Sequence, residues 1–317
     1  MSLRKALLAP LVSLLAVATF ATSGHGGAWL PAPGEYYSEV SADRFLATTF
    51  HDDGGDRGRL GYTFEHRTLA SYNELGWKKW ASVVINLPFE SVTARDLRSD
   101  RSETGLSDLT LGLRVKLMDG PVALAVQGDW TAPLGYQHDS LGVGPWLGTG
   151  RQDVTGEVLL GTPRRYPRGA GPWLGAGQQN LAGQLLLGAP LAKVGFLELA
   201  GGYHYQLETP VTDVIARGTV GLWLGPSLLV SGHYAGSIAQ VGVQESSAPD
   251  STFDVQAHSV GPEVRYRVDD HLDLFVGSWH TLAGKNVVHQ DRYYVGVAWK
   301  QTRLNRLQGF LGTRRRP

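Results

Sequence analysis

Apolar and polar residues alternate along this chain with a period of two. In 104–117, Leu109, Leu111, Leu113, Val115 and Leu117 fall on one side, and Asp108, Thr110, Arg114 and Lys116 on the other. Successive side chains of a strand leave on opposite faces, so each such stretch predicts a strand with one oily and one ionic side. In 121–130, Val122, Leu124, Val126 and Trp130 oppose Gln127 and Asp129. In 196–206, Leu197, Leu199, Tyr203 and Tyr205 oppose Glu198, His204 and Gln206. Val214, Ala216, Val220 and Leu222 oppose Asp213, Arg217 and Thr219, and Val260, Val264, Tyr266 and Val268 oppose Glu263, Arg265 and Arg267. The last such strand sets Tyr293, Val295, Val297 and Trp299 against Arg292 and Tyr294. An oily face needs either a second sheet or lipid. Rows of Arg, Asp and Glu on the other face suit an enclosed aqueous interior, which a closed barrel in a bilayer provides. Slipping 104–117 by one residue would put Arg114 and Lys116 into hydrocarbon at roughly 2–4 kcal/mol each near the midplane, so the pattern also fixes register. The expected fold is all-β: a transmembrane up-and-down antiparallel barrel.

Breakers divide the chain into candidate strands at 35–50, 58–72, 79–95, 103–118, 121–134, 152–163, 178–190, 195–208, 211–224, 226–241, 253–268, 271–283 and 289–300. Their connections alternate between tight turns, such as Met118–Pro121 and Val268–His271, and longer polar loops, such as Gly135–Arg151 and Val243–Thr252. Short periplasmic turns and longer outer loops give this alternation in bacterial outer-membrane barrels. Both termini then lie on the periplasmic side. One repeat disturbs the order: residues 144–163 recur at 171–190 with 12 of 20 positions identical. Two copies of one strand in succession would run parallel. Either 164–177 returns as a strand, giving 14, or one copy belongs to an outer loop, giving 12. Pro167 and Pro172 favour the loop.

The first 28 residues read as a signal peptide, with Arg4 and Lys5, an apolar stretch from Ala6 to Ala21, and cleavage expected within 21–28. The barrel is then expected over 29–300, followed by a basic tail, 301–317, carrying Arg303, Arg306, Arg314, Arg315 and Arg316. With 29 basic and 29 acidic residues the chain has no electrostatic footprint for nucleic acid. Cysteine is absent, and the ten His show no paired ligand spacing, so neither a metal nor a cofactor is expected. Ser231 and His233 share a strand face, but it is the polar one, opposite Leu228, Val230 and Tyr234, where no acyl chain in the bilayer reaches. No enzyme is expected. The candidate lumen-lining set is Glu90, Asp108, Arg114, Lys116, Asp129, Glu198, His204, Asp213, Arg217, Glu263, Arg265, Arg267 and Arg292. His233 and His280 read as further polar lumen residues. Trp130, Tyr203, Tyr205, Tyr266 and Trp299 fall where interfacial girdles would be.

The run Thr104–Arg114 resembles a strand of the outer-membrane family labelled MetA-pathway phenol degradation, often called simply "transporter". Asn73–Trp80 with Val83–Pro88, and Ala28–Glu35 near the expected start of the mature chain, are similar to other motifs of that family. Ser107, where glycine is usual, the 27-residue duplication and the basic tail depart from its pattern. The resemblance implies an outer-membrane barrel of about a dozen strands moving small, often hydrophobic or aromatic, solutes; the expected function is a channel for their passive passage across the outer membrane of a Gram-negative bacterium. Its expected partners are outer-membrane lipid, a small solute and the barrel-assembly machinery during insertion, with the protein a monomer. Outer loops 135–151 and 164–177 carry Trp146 and Trp173, candidate solute contacts. The alternative is a structural or interaction barrel with a closed, salt-bridged lumen.

Overall fold

The structure is a computed structural model that describes residues 27–52, 54–95, 100–120, 122–133, 180–192, 194–206, 211–241, 256–285 and 287–301. The expected leader, the basic tail, Trp146, Trp173 and the candidate strand 152–163 lie outside the described residues. Among the described residues there are fourteen strands: β1 (Tyr36–His51), β2 (Arg57–Lys78), β3 (Ala81–Arg95), β4 (Asp100–Leu106), β5 (Asp108–Met118), β6 (Ala123–Pro133), β7 (Asn180–Leu191), β8 (Gly195–Gln206), β9 (Val211–Trp223), β10 (Leu228–Val241), β11 (Gln256–Arg267), β12 (Leu272–Lys285), β13 (Val287–Val288) and β14 (Asp291–Gln301). All pairings are antiparallel, neighbours in sequence are neighbours in space, and β1 pairs with both β2 and β14, so the sheet closes without a free edge.

The wall has 12 positions, because β4 and β5 share one and the two-residue β13 caps β1. β6 pairs directly with β7, as in Trp130 opposite Leu181 and Ala123 opposite Gly188. That pairing leaves no place between them for a strand from the first repeat copy, and it decides for 12 over 14. The second copy supplies β7.

Pro88 causes the break between β4 and β5. It offers no N–H to the ladder, and Ser107 N donates instead to its carbonyl at 2.9 Å. Across the break the register shifts by one, from Phe89 opposite Leu106 to Asn86 opposite Thr110. Such a bulge lets Leu106 and Leu111 both face outward despite their odd separation. β2 is the tallest strand, at 22 residues, and runs on to Lys78 rather than ending near 72.

The outer face is apolar from strand to strand: Leu69, Phe89, Leu113, Val126, Leu185, Leu199, Val220, Val264, Val276 and Val295 are all exposed. Aromatic residues border this belt. Trp77, Trp80, Tyr266 and Trp299 lie toward the tight-turn end, and Trp130, Tyr203 and Tyr293 toward the other. Above the belt the outside of β1 and β2 turns ionic, where Glu65 accepts from Arg44 at 2.7 Å and from Arg67 at 2.8 Å. Burying the belt against lipid removes this large oily surface from water.

Candidate functional site: the barrel lumen

Inward-facing side chains meet in two ion-pair networks. In the first, Arg114 Nη1 donates to both oxygens of Glu74 at 3.0 Å, reaching past β3 to β2. Ser82 Oγ donates to the same carboxylate at 2.6 Å and Tyr72 at 3.1 Å. Arg114 Nε donates to Gln127 at 2.8 Å, and Gln127 in turn donates to Asp129 at 2.7 Å. The Arg114 and Glu74 side chains are 2% and 0% exposed, so this pair is held by protein groups rather than bulk water. The second network centres on Arg265 of β11, which donates to Glu263 at 3.0 Å, to Tyr37 at 3.0 Å and to Glu39 at 3.1 Å, and lies 4.5 Å above the Phe275 ring. Tyr294 donates to Glu263 at 3.1 Å. Tyr37 and Tyr72 meet edge to face at 6.1 Å, which joins the two networks across β1 and β2.

The other residues of the candidate set are distributed as follows. Arg292 pairs with Asp43 at 3.0 Å and Glu90 with His66 at 3.5 Å. Arg267 stacks on Trp223 at 4.4 Å and lies 3.7 Å from Asp273. Lys116 is drawn to Asp119 of the β5–β6 turn at 2.9 Å. Asp213 is buried, Asp108 and Arg217 are half-buried on the inward face, and the His204 side chain lies outside the described residues. Glu39, Asp43, His66, Tyr37, Tyr72 and Glu74 belong to the same surface and were not legible from the alternation.

His233 faces inward, accepts or donates with Ser231 Oγ at 2.9 Å and Thr219 Oγ1 at 3.1 Å, and packs on Trp279. A hydroxyl, not a carboxylate, therefore orients this imidazole. His280 faces the other way from the expected lumen position. Its ring lies against the exposed Tyr293 and bonds to Asp291 at 2.8 Å, because it is one residue out of phase with inward Trp279.

Residues 27–35 enter the lumen at the tight-turn end. Ala28 is fully buried among Ala123, Ala125 and Leu186, with Trp29, Leu30 and Ala200 packed alongside. Trp29 meets Phe196 edge to face at 6.4 Å. Small residues make room for it: a Cβ on Gly188 would stand 2.7 Å from the Trp29 ring, and one on Gly76 would stand 2.1 Å from the Ala32 carbonyl. Gly34 N donates to Gly76 O at 2.8 Å and Gly76 N to Glu35 O at 2.9 Å, which fastens the segment to β2. Its far end abuts Glu198 of β8, whose Oε1 has no hydrogen-bond partner among the described residues.

Apolar groups also line the opposite end, where Phe45, Ala47, Phe64, Val92 and Val288 cluster inside the tall β1–β3 wall. The inner surface is therefore not ionic throughout, as the alternation implied. Apolar clusters stand beside the ion pairs toward both ends. At the outer rim, His51 Nε2 faces His289 Nδ1 at 3.2 Å, and burial together with Arg57 holds the His289 imidazole below the ordinary histidine range.

No family model and no curated protein matches the chain. Among solved structures it is similar to the COG4313 outer membrane channel from Pseudomonas putida F1, at 13% identity, covering 89% of this chain and 100% of that one with a TM-score of 0.64. The NanC porin (8% identity, 83% of this chain and 100% of that one, TM-score 0.45) and the KdgM porin (7%, 82% and 98%, 0.42) are more distant. At these identities the first likeness speaks for the fold, and it agrees with the geometry: a closed, 12-stranded up-and-down β-barrel.

Proposed function

We propose that this protein is an outer-membrane channel of a Gram-negative bacterium, through which small solutes, hydrophobic or aromatic ones among them, diffuse down their gradient. The observation that carries the reading is the composition of the lumen. On one side the wall's own side chains bond to one another across it, and on the other a short segment is packed through small and apolar contacts. A purely structural barrel gains nothing from a filling held by packing alone, whereas a conduit needs a part of its filling that can be displaced. Apolar clusters at both ends favour solutes that shed water at modest cost. The tight-turn end is the periplasmic one, and leader cleavage after Ala21 or Ser23, rather than after Ala28, retains the Gly27 and Ala28 that fill it.

The runner-up, a closed interaction barrel, is favoured by the second ion-pair network, where Arg265 of β11 reaches Tyr37 and Glu39 of β1. Planar-bilayer recording separates the two. The channel reading expects resolved conductance steps from the intact mature chain, and larger ones when residues 27–33 are deleted. Silence from both chains would overturn it in favour of the closed barrel. Replacing Trp146 and Trp173 together by Ala is expected to slow uptake of hydrophobic solutes into vesicles; unchanged uptake would remove those loops from the pathway.

A further inference from the structure

At the outer rim, β1 ends at His51, and the short β13 pairs Val287 with His51 and Val288 with Phe50 before the chain turns into β14. This is the seam where the last strand meets the first. His289 N donates to Thr49 O at 3.0 Å, so the two histidines are held by backbone on both sides of the seam. Their rings lie 5.4 Å apart between centroids, with His51 7% exposed and the His289 side chain 13% exposed.

The hydrogen positions on these rings can be assigned from their partners. His51 Nδ1 lies 3.1 Å from the Gly55 carbonyl. A carbonyl only accepts, so this nitrogen carries the proton and the neutral ring leaves its lone pair on Nε2. On His289, Nδ1 faces His51, and Nε2 stands 3.9 Å from the Asp291 carboxylate, beyond hydrogen-bond distance. Asp291 is itself anchored by His280 at 2.8 Å. The His51 Nε2 lone pair thus meets His289 Nδ1 at 3.2 Å, with room between them for either a proton or, when His289 carries its hydrogen on Nε2, a cation. Ligands about 2.0–2.1 Å from a tetrahedral zinc stand about 3.3 Å apart. Among the described residues no group of three or more His, Asp and Glu closes on one point, so a cation held here would take its remaining ligands from water. Arg57 is the like charge nearby, and its Nε is turned away to Thr49 Oγ1 at 3.0 Å.

We propose that His51 Nε2 and His289 Nδ1 form a two-histidine site for a borderline divalent cation, Zn²⁺ or Cu²⁺, that clips the outer seam of the barrel. Imidazole suits both ions, and the general affinity order expects Cu²⁺ to bind more tightly than Zn²⁺. Because the two ligands stand on opposite sides of the seam, the bound ion ties the end of β1 to the segment between β13 and β14 and slows its opening.

Equilibrium dialysis of Zn²⁺ against the full folded barrel in detergent micelles tests this, with folding of every variant checked by resistance to unfolding in cold sodium dodecyl sulfate. The expected result is a component of about one Zn²⁺ per barrel that weakens by about tenfold or more in His51→Gln and in His289→Gln. His271→Gln, on the opposite end of the barrel, should leave it unchanged. Hydrogen exchange at the His289 amide should slow on adding Zn²⁺ to the original chain and not to either variant. Zn²⁺ uptake that is equal in all three variants, or exchange at His289 indifferent to the ion, would show that a proton alone bridges the rings and overturn the proposal.

Discussion

The two halves of the lumen are filled in different ways. From β11 round through β1 to β6, the wall carries long charged and aromatic side chains that bond to one another: Arg265, Glu39, Tyr37, Tyr72, Glu74, Arg114 and Asp129. From the lower part of β6 to β8 the inward positions shrink to Ala123, Ala125, Gly188 and Ala200, and the space belongs to Ala28, Trp29 and Leu30. The first half is rigid because each charge has its partner in a dry setting, where a missing partner is costly. The second half depends on shape, and a segment held by packing can be displaced without breaking an ion pair. One sheet therefore combines a fixed wall with a refillable one.

The largest expected effect comes from breaking the fixed half. Arg114→Met leaves the Glu74 carboxylate buried without its cation, and should cost about 3–5 kcal/mol in urea unfolding of the folded barrel. Glu74→Gln combined with Arg114→Met should recover most of that loss, since no buried charge is then left alone. If the double variant is as unstable as the single one, the pair acts by packing rather than by charge.

Turning the charge outward tests the same distinction on the neighbouring residue. Leu113, 45% exposed on the oily face, precedes Arg114. Leu113→Arg should cost about 2–4 kcal/mol near the bilayer midplane. Lys116→Leu, which removes only a pair with the exposed Asp119, should stay within about 1 kcal/mol. Equal costs for the two would mean that the inside and outside of β5 are not chemically distinct.

In the refillable half, Gly188→Leu places atoms where the Trp29 ring now lies. Overpacking of this kind costs about 1–3 kcal/mol. Here it should be relieved by expulsion of the segment, with Trp29 emission shifted to the red and conductance raised. A stable variant with unchanged Trp29 emission would show that the segment can move aside without leaving.

Much of this contrast was written in the alternation. Arg114, Asp129, Glu263 and Arg265 stand opposite strong rows of Leu and Val, so their face was unambiguous. Glu39 and Asp43 were not seen because their strand alternates Ser, Ala and Thr with the charges and offers no oily partner row. Glu74 escaped because β2 was expected to stop at 72; it continues through Asn73 and Gly76, two residues that usually mark a strand's end. Gly76 is there to let Ala32 approach, a tertiary reason that no local pattern shows. The repeat left 12 or 14 strands open, because two equal copies carry equal strand signals and only pairing partners separate them. His280 was misplaced for a related reason: Ser278, Trp279 and His280 are all compatible with either face, so phase must come from Phe275 and Leu274 below them.

The smallest effect is expected on the outside of the fixed half, at Arg67. Here Arg44 and Arg67 are directly opposed across β1 and β2, a like-charge pair that by itself disfavours the register. Glu65 bonds to both and offsets the repulsion, but the two arginines are 61% and 62% exposed, so water screens every term. Arg67→Ala removes one attraction and one repulsion of similar size. Stability should change by less than about 1 kcal/mol, and the change should shrink further at high salt. The chemistry is the same guanidinium–carboxylate contact as at Arg114, at a similar distance, with a several-fold smaller consequence because solvent reaches it. A loss above about 2 kcal/mol at Arg67 would mean that this ionic rim is covered, by lipid headgroups or another protein, and that the boundary of the oily belt lies higher than Leu69.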